Sequence, residues 1–206
     1  DLPGEASTEN LIFTAENMGE TDLATSSFGQ SFNVTMTQMV SAFSSLINGG
    51  YYYQPHVVKQ IQDENGNVIE TNDPTLLRKT VSKQTSDRVK EALRAVMTDG
   101  TGVPANVEGY DIGGKTGTAE KLPRGNGDYL LSFIGYAPQE NPEVVIYVVI
   151  DEPNVENQEL SSYVLELSQK IMAEAFPYLN ITRNGDALPE DSGVREDVQQ
   201  DFDENF

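Results

Sequence analysis

The chain has 206 residues, 37% of them hydrophobic and 22% charged, which supports one folded domain with a buried core and excludes an intrinsically disordered chain. Acidic residues outnumber lysine and arginine by 33 to 13, and the net charge of −20 argues against nucleic acid or an anionic membrane bound through a basic surface. The chain has no cysteine and one histidine, His56, so we expect no thiolate nucleophile, no metal site and no cofactor.

The first 34 residues are polar, and a short helix is expected near Thr8 to Asn17. The chain opens on an Asp-Leu-Pro-Gly turn, without an initiator methionine, a signal peptide or a run of about eighteen apolar residues that could span a membrane. We therefore expect a piece of a longer polypeptide whose natural beginning lies upstream of Asp1.

A core-packing helix is predicted directly after Val34. Thr35 can cap its first turn, and the turn Asn48-Gly49-Gly50 ends it. The apolar residues between them recur at three- and four-residue spacing and are Met36, Met39, Val40, Phe43, Leu46 and Ile47. A peripheral β-hairpin is predicted next, because Asn65-Gly66 separates two runs rich in β-branched residues.

A second amphipathic helix is predicted from about Thr85 to Met97. Thr85 or Ser86 can cap it, and Gly100 and Gly102 end it. Its buried side is expected to consist of Val89, Leu93, Val96 and Met97.

Three consecutive strands are predicted in the second half of the chain: Asp111 to Ala119, Tyr129 to Ala137 and Val144 to Ile150. The short turn between the last two makes them antiparallel. Because these two are almost continuously apolar, the sheet is expected to be covered on both faces. The predicted fold class is therefore α/β (α+β), with an antiparallel sheet covered by helices.

A final helix is predicted from about Gln158 to Phe176, ended by Pro177. Its sheet-facing residues are expected to be Leu160, Tyr163, Val164, Leu167, Ile171, Met172 and Ala175. We divide the chain into a domain at residues 1–178 and a tail at residues 179–206. From Arg183 onward the tail holds eight acidic and two basic residues, and it is expected to be mobile.

The segment DIGGKTGTAE at residues 111–120 concentrates special chemistry in ten residues. Its three glycines remove side chains, so that a second backbone could lie against the strand. On an extended chain Thr116 and Thr118 share one face, and Lys115 lies on the other. The segment could therefore hold an anion with hydroxyl groups, with an ammonium group just behind them.

Two motifs fit this segment. Residues 109–116, GYDIGGKT, satisfy the G-x-x-x-x-G-K-T pattern of a phosphate-binding P-loop, which requires a buried strand before it and a helix after it. Turn-forming residues occupy both flanks, which argues against this interpretation. The other motif is the K-T-G of penicillin-recognising acyl transferases, on a strand that lines an acyl-transfer site.

Several blocks follow one another in order: DLPGEAS, FGQSFNVTMTQMVSAFSSLINGGYYYQPHVV, GGKTGTAE and SFIGYAP, then a buried strand and a terminal helix. This order resembles the C-terminal part of the transpeptidase domain of class B penicillin-binding proteins, over about residues 1–178. The resemblance implies a peptidoglycan D,D-transpeptidase of division or sporulation type, in which a serine attacks the D-Ala-D-Ala end of a stem peptide and penicillins acylate the same serine. It also implies wall-synthesis proteins as partners, and a place at the extracytoplasmic face of the bacterial membrane with the anchor upstream.

Carried over to this sequence, the resemblance assigns roles to four positions. Lys115 would stabilise anionic charge near the nucleophile, and the hydroxyls of Thr116 and Thr118 would bind the terminal carboxylate of the substrate. The backbone N–H of Thr118 would be an oxyanion-hole donor, and Gly117 would let the substrate pair as an added strand. No role follows for Glu120, where family members often have glutamine.

The nucleophile of the family is absent from the sequence. In family members, the S-x-x-K and S-x-N motifs and the first two strands of the sheet lie upstream of the DLPGE-like turn. In this sequence, no serine stands three residues before a lysine. Ser31-Phe32-Asn33 spells S-x-N after that turn and is interpreted as a coincidence. Thr80-Val81-Ser82-Lys83 and Thr118-Ala119-Glu120-Lys121 are threonine look-alikes without the helix start that a nucleophile needs. The upstream part of the same domain is an expected partner, and the fragment alone is predicted to be inactive.

Three hypotheses for function follow. The chain is the C-terminal portion of a transpeptidase, a non-catalytic penicillin-fold binding or sensor module, or a P-loop nucleotide-binding protein. Binding of β-lactams by the intact protein separates the first two hypotheses, and nucleotide calorimetry tests the third.

Overall fold

The computed structural model describes residues 6–8, 11–30 and 32–184 of the chain. Its helices are α1 Glu20–Ser26, α2 Met36–Ile47, α3 Lys83–Thr98 and α4 Ser162–Tyr178. Its strands are β1 Tyr51–Tyr53, β2 Gln60–Gln62, β3 Val68–Thr71, β4 Leu76–Lys79, β5 Gly113–Glu120, β6 Tyr129–Ala137 and β7 Val144–Asp151. A 3₁₀ turn at Val103–Ala105 lies between α3 and β5. The mixture of helices and antiparallel strands confirms the predicted fold class.

The predicted antiparallel sheet is confirmed, since β5, β6 and β7 pair in sequence order with β6 in the middle. The apolar sequence of β6 explains its central position, because a strand paired on both sides and covered on both faces exposes little of its surface to water. The register places Lys115 opposite Ile134, and Ile134 opposite Tyr147. Directly opposed residues point to the same face of a sheet, so Lys115, Ile134 and Tyr147 share one face.

Two hydrophobic clusters lie on the two faces of the sheet, as the apolar strands predict. The larger cluster packs α4 against one face, and its members include Met97, Ile112, Leu131, Phe133, Val164, Leu165, Met172 and Phe176. The smaller cluster packs α2 and α3 against the other face, and its buried members are Phe43, Ile47, Leu93, Ile134 and Tyr136. Residues of β6 that point to opposite faces therefore pack into different clusters.

The α2 helix begins where the sequence predicts. The Thr35 hydroxyl accepts the N–H of Gln38 at 3.1 Å, and Gln38 Oε1 accepts the N–H of Thr35 at 2.9 Å, a reciprocal cap. The predicted start of α3 is wrong by two residues, because Ser82 is the cap and accepts the N–H of Thr85 at 3.1 Å. Ser86, a predicted cap, is instead buried and accepts a backbone N–H just after α2 at 3.0 Å.

The last helix starts later than predicted, and its predicted face is right in part: Val164 and Met172 are buried, and Tyr163 packs against the core. Gln158, the predicted first residue, lies before the helix, and its side-chain carbonyl accepts the N–H of Tyr129 at 2.9 Å. Leu160, Leu167 and Ile171 were predicted to face the sheet, and they are 45%, 42% and 38% exposed. The buried residues of α4 are Val164, Leu165, Ser168, Met172 and Phe176. Two neighbouring apolar stripes run along this helix, and contact with β6 and β7 decides which of them is buried.

The β2 and β3 strands form the predicted hairpin. Gly66 in its turn has a positive φ of 83°, and Asp63 Oδ1 accepts the backbone N–H groups of Asn65 and Asn67. The hydrogen bond from the Asn67 side chain, together with these N–H groups, lowers the pKa of Asp63. Every residue of both strands is exposed, which confirms the peripheral position.

The N-terminal region differs from the prediction. Residues 11–17 form turns instead of the expected helix near Thr8 to Asn17, and the short helix of this region is α1. The Thr8 carbonyl accepts the N–H groups of Leu11 and Ile12, and the Thr8 side chain bonds to Gln38.

At the other end, α4 continues through Pro177 to Tyr178, two residues beyond the predicted last residue, Phe176. A proline near the end of a helix removes one hydrogen bond, and here the N–H of Leu179 still reaches the Ala175 carbonyl at 2.8 Å. Residues 179–184 pack against the domain, with Ile181 buried. The rest of the predicted acidic tail, from residue 185, lies outside the described residues. Within the described part, no helix is long and apolar enough to cross a membrane.

Candidate active site

The candidate segment lies on β5, an outer strand of the three-stranded sheet. One edge of β5 pairs with β6 along its whole length, from Gly113 opposite Tyr136 to Glu120 opposite Tyr129. No described strand pairs with its other edge. An outer strand with an unpaired edge can receive an extended peptide through main-chain hydrogen bonds.

The glycines of β5 serve the packing of the sheet, and the role of Gly117 toward a second backbone stays a prediction. A Cβ at Gly114 would lie 2.7 Å from Cζ of Phe133, and a Cβ at Gly113 would overlap the ring of Tyr136. A Cβ at Gly117 would lie 2.5 Å from the hydroxyl of a β6 serine. The absent side chains therefore make room for side chains of β6.

Lys115 and Thr116 point to opposite faces of β5, as the strand alternation predicts. Lys115 is exposed and lies opposite Ile134, on the face covered by α2 and α3. Its ammonium donates to the carbonyl oxygen of Thr116 at 2.8 Å. The Thr116 hydroxyl lies 2.9 Å from the hydroxyl of Thr101, in the loop after α3, and either group can donate. The loop after α3 therefore positions a side chain of the motif.

Thr118 is exposed, and Gly117 beside it is half-buried. Among the described residues, no side chain or backbone group forms a hydrogen bond with the Thr118 hydroxyl. The four predicted site residues therefore form one continuous run, residues 115–118, on a single strand. An ammonium group, two hydroxyls and an unpaired backbone edge together suit an extended peptide that ends in a carboxylate.

Glu120 makes a contact that the sequence did not assign. Its Oε1 accepts the N–H of Gly125 at 2.6 Å and closes the turn that follows β5. Gly125 has a positive φ of 87°, a conformation that glycine adopts without strain. Burial, and then the carboxylates of Glu120 and Glu159, raise the pKa of Tyr129, which stands opposite Glu120 in the sheet.

Lys121, directly after β5, ties this strand to the end of β7. Its ammonium donates to Glu152 Oε1 at 2.5 Å and to Asp151 Oδ1 at 3.0 Å, and these hydrogen bonds raise the pKa of Lys121. Glu152 has a φ of 48°, which is uncommon for a residue with a side chain, and its N–H donates to the Tyr129 carbonyl at 2.9 Å. The three strands are therefore held together at this end.

The P-loop alternative is wrong. Gly113–Glu120 is one continuous strand, and the next element is β6, whereas a P-loop ends at the N-terminus of a helix that follows its lysine and threonine. In the part of the chain that the structure describes, no group of three or more histidine, aspartate or glutamate residues could hold a metal ion.

A family model described as the penicillin binding protein transpeptidase domain matches residues 1–175. The chain belongs to this family. The match includes the whole three-stranded sheet, and with it the sequence Lys115-Thr116-Gly117 on β5.

Relatives of this chain include Stage V sporulation protein D of Bacillus subtilis, which is 36% identical over 185 residues that cover 88% of this chain and 28% of that protein. PbpB of Mycobacterium tuberculosis is 32% identical over 164 residues, 74% of this chain and 24% of that protein. The solved structure of penicillin-binding protein 3 from Mycobacterium tuberculosis in complex with ampicillin has a TM-score of 0.73 at 27% identity, over 87% of this chain and 42% of that chain. The chain thus spans about a quarter of the length of these curated relatives.

Thr101 and Lys121 are two residues of the candidate site region that sequence reasoning missed. The only signal for Thr101 was its place between two glycines after a helix. Of the threonine look-alikes, Thr80 has a structural role, because its hydroxyl donates to Ser45 at 3.0 Å and to the Gly50 carbonyl at 3.1 Å. Ser31 of the S-x-N look-alike lies outside the described residues.

Proposed function

We propose that the protein containing this chain is a peptidoglycan D,D-transpeptidase that β-lactams acylate. The observation that carries the proposal is the run of residues 115–118 on an exposed outer strand, within a domain of the penicillin-binding transpeptidase family. A solved relative, penicillin-binding protein 3 from Mycobacterium tuberculosis, forms a complex with ampicillin, which supports β-lactam recognition by this protein.

In the proposed reaction a serine hydroxyl attacks the carbonyl carbon of the penultimate D-alanine. The C–N bond to the terminal D-alanine breaks, the serine proton passes to the departing amine, and an ester remains on the serine. An amine of a neighbouring stem peptide then attacks the ester, forming the cross-link and returning a proton to the serine. Each attack develops negative charge on the carbonyl oxygen, and this charge must be stabilised.

The strand β5 would supply that stabilisation and hold the substrate. The N–H of Thr118 would bind the oxyanion, a contact whose loss typically costs about 3 to 4 kcal/mol. The hydroxyls of Thr116 and Thr118 would hold the terminal carboxylate, and Gly117 would let the peptide backbone approach. Lys115 would provide positive charge beside the nucleophile.

The nucleophile and its base would come from residues that precede this chain. The sequence has no S-x-x-K motif, and two surfaces suit further parts of the same domain. Residues 144–150 of β7 are apolar and only half-buried, with no described strand on their outer side. Leu160, Leu167 and Ile171 form an exposed apolar stripe before and along α4. The preceding strands and helices would cover both surfaces.

A role in division or sporulation is the setting we propose, at the extracytoplasmic face of the membrane and together with other wall-synthesis proteins. The name of the Bacillus subtilis relative, which refers to sporulation, supports this setting. The membrane anchor would lie in the preceding part of the protein.

The test compares the 206-residue chain with a longer protein that includes the preceding segment. Each is incubated with a fluorescent penicillin and separated on a denaturing gel. We expect a covalent label and good solubility only in the longer protein. A labelled 206-residue chain, with the label mapped to one of its own serines, would show that the nucleophile is misplaced. An unlabelled longer protein that still binds stem peptides would favour the non-catalytic binding module.

A further inference from the structure

The loop after α3 is packed tightly against the last turn of that helix. The N–H of Gly102 donates to the Val96 carbonyl at 3.0 Å. A Cβ at Gly100 would lie 2.9 Å from Cα of Val96. A Cβ at Gly102 would lie 2.5 Å from Sδ of Met97. The residue between these two glycines, Thr101, is therefore held at a fixed distance from the helix.

The α3 helix is in turn fixed against the start of β5. Nη2 of Arg94 lies 2.8 Å from Oδ2 of Asp111, two residues before the strand. Met97 near the end of α3 and Ile112 just before β5 are both buried in the larger hydrophobic cluster. The end of α3 and the start of β5 therefore keep their relative position, and the loop after α3 keeps its position with them.

This arrangement brings together two hydroxyls that are 15 residues apart in the sequence. The Oγ1 atoms of Thr101 and Thr116 lie 2.9 Å apart. Within the described part of the chain, neither hydroxyl has another hydrogen-bond partner. Thr101 is exposed and Thr116 is half-buried, so a ligand beside β5 can reach the pair.

The direction of this hydrogen bond matters once a carboxylate is bound. A carboxylate only accepts hydrogen bonds, so Thr116 must donate its single proton to it. The contact between the two hydroxyls then requires Thr101 to be the donor. Hydrogen bonds in series polarise one another, so a Thr116 hydroxyl that accepts from Thr101 is a stronger donor to the carboxylate.

We propose that Thr101 is a positioning residue for carboxylate recognition. Its hydroxyl donates to the Thr116 hydroxyl and directs the Thr116 proton toward the terminal carboxylate of a stem peptide or a β-lactam. The inference rests on the proposed function and adds a residue from outside β5 to the carboxylate site. Without Thr101 as a donor, Thr116 keeps its proton but loses the contact that fixes its direction.

The experiment measures the second-order rate of acylation of the longer protein by a fluorescent penicillin and by the methyl ester of that penicillin. Thr101→Val should lower the rate with the acid about fivefold, as for the loss of a neutral hydrogen bond, and leave the rate with the ester unchanged. Thr101→Ser keeps a hydroxyl at the same position. It should restore the rate with the acid to within about twofold of the wild type.

A double-mutant cycle tests whether Thr101 acts through Thr116. Thr116→Val removes the hydroxyl that Thr101 directs, and it should itself slow acylation by the acid. Adding Thr101→Val to Thr116→Val should then change this rate by less than about twofold. A further fivefold loss in the double variant would show that Thr101 acts independently of Thr116, and it would overturn the positioning role.

Thr98→Val is the matched control, because it removes another exposed hydroxyl at the end of α3, one that bonds to Asp99 at 2.9 Å. It should retain both rates, and the melting temperatures of all variants are measured to confirm folding. Equal slowing with acid and ester in Thr101→Val would indicate a structural role alone and would overturn the inference.

The failure of this inference differs from the failure of the proposed function. A longer protein that penicillin labels, but whose ratio of acid rate to ester rate is the same in the wild type and in Thr101→Val, refutes only the role of Thr101. A longer protein that neither the acid nor the ester labels refutes the transpeptidase function and this inference together.

Discussion

The two outer strands of the sheet differ in what their unpaired edges present. Along β5, glycines alternate with a lysine and threonines, and Lys115 and Thr118 are exposed. Along β7, residues 144–150 are all apolar and half-buried. A polar edge suits a ligand that binds and leaves, whereas an apolar edge suits a permanent strand of the same domain. The chemistry of the edge therefore distinguishes the binding side of the sheet from the side that completes the core.

Removing the charge of Lys115 is expected to have the largest effect. In the longer protein, Lys115→Ala should lower the second-order rate of acylation by a fluorescent penicillin by at least about 100-fold, because it removes charge stabilisation at the reacting group. Lys115→Arg should fail as well, since a planar guanidinium does not replace a compact ammonium in a tight site. Lys83→Ala, at the exposed start of α3, should retain the rate. A near-normal rate in Lys115→Ala would exclude the assigned role.

A charge on β7 should have a favourable effect on the 206-residue chain and an unfavourable effect on the longer protein. Val149 is half-buried and belongs to neither described hydrophobic cluster. In the 206-residue chain, Val149→Lys should reduce aggregation, measured by light scattering, because charge on an edge strand opposes edge-to-edge pairing. In the longer protein it should lower the free energy of unfolding by about 2 to 4 kcal/mol, measured with denaturant, because it buries a charge against the preceding strands.

The control for Val149 is Ile69→Lys on the exposed hairpin, which should change neither measurement. The two measurements are aggregation of the 206-residue chain and the free energy of unfolding of the longer protein. If Val149→Lys were favourable in both or unfavourable in both, the two edges of the sheet would not differ as proposed.

A smaller effect is expected from the hydroxyl of Thr118. Thr118→Val keeps the backbone N–H and the shape of the side chain. It should raise the activation free energy of acylation by a carboxylate-bearing β-lactam by about 1.5 to 3 kcal/mol and leave the rate with the ester of that β-lactam unchanged. Thr98→Val, whose hydroxyl bonds to Asp99 at the end of α3, should affect neither rate. Equal slowing of acid and ester by Thr118→Val would refute the carboxylate contact.

The smallest effect is expected from the link between the ends of β5 and β7. Lys121→Met should lower the melting temperature by less than about 3 °C, because exposed ion pairs contribute little to stability. Hydrogen bonds to Glu152 and Asp151 raise the pKa of Lys121 above its ordinary 10.5, so the stabilisation is present at neutral pH and is lost as pH rises through the raised pKa. Thermal denaturation of the wild type and of Lys121→Met, from neutral pH to above the raised pKa, tests this expectation. A difference in melting temperature that grew with pH would contradict the assignment.

The sequence by itself determined the elements whose signals are local. The Thr35 cap defines the start of α2, Asn65-Gly66 defines the hairpin turn, and the apolar runs define β6 and β7 together with their order. The motif at residues 115–117 could be placed on a strand for the same reason, because its neighbours in the chain already favour an extended backbone. These predictions need only residues that are a few positions apart.

Only the tertiary structure decided the features that depend on residues far apart in the chain. The buried stripe of α4 is chosen by contact with β6 and β7, and the space beside Gly113 and Gly114 is filled by rings from β6. Thr101 meets Thr116 because the loop after α3 folds onto β5, and Lys121 meets carboxylates 30 and 31 residues later. A periodic pattern shows that a side chain is apolar or polar, but its partner is set by packing between elements, which no local pattern contains.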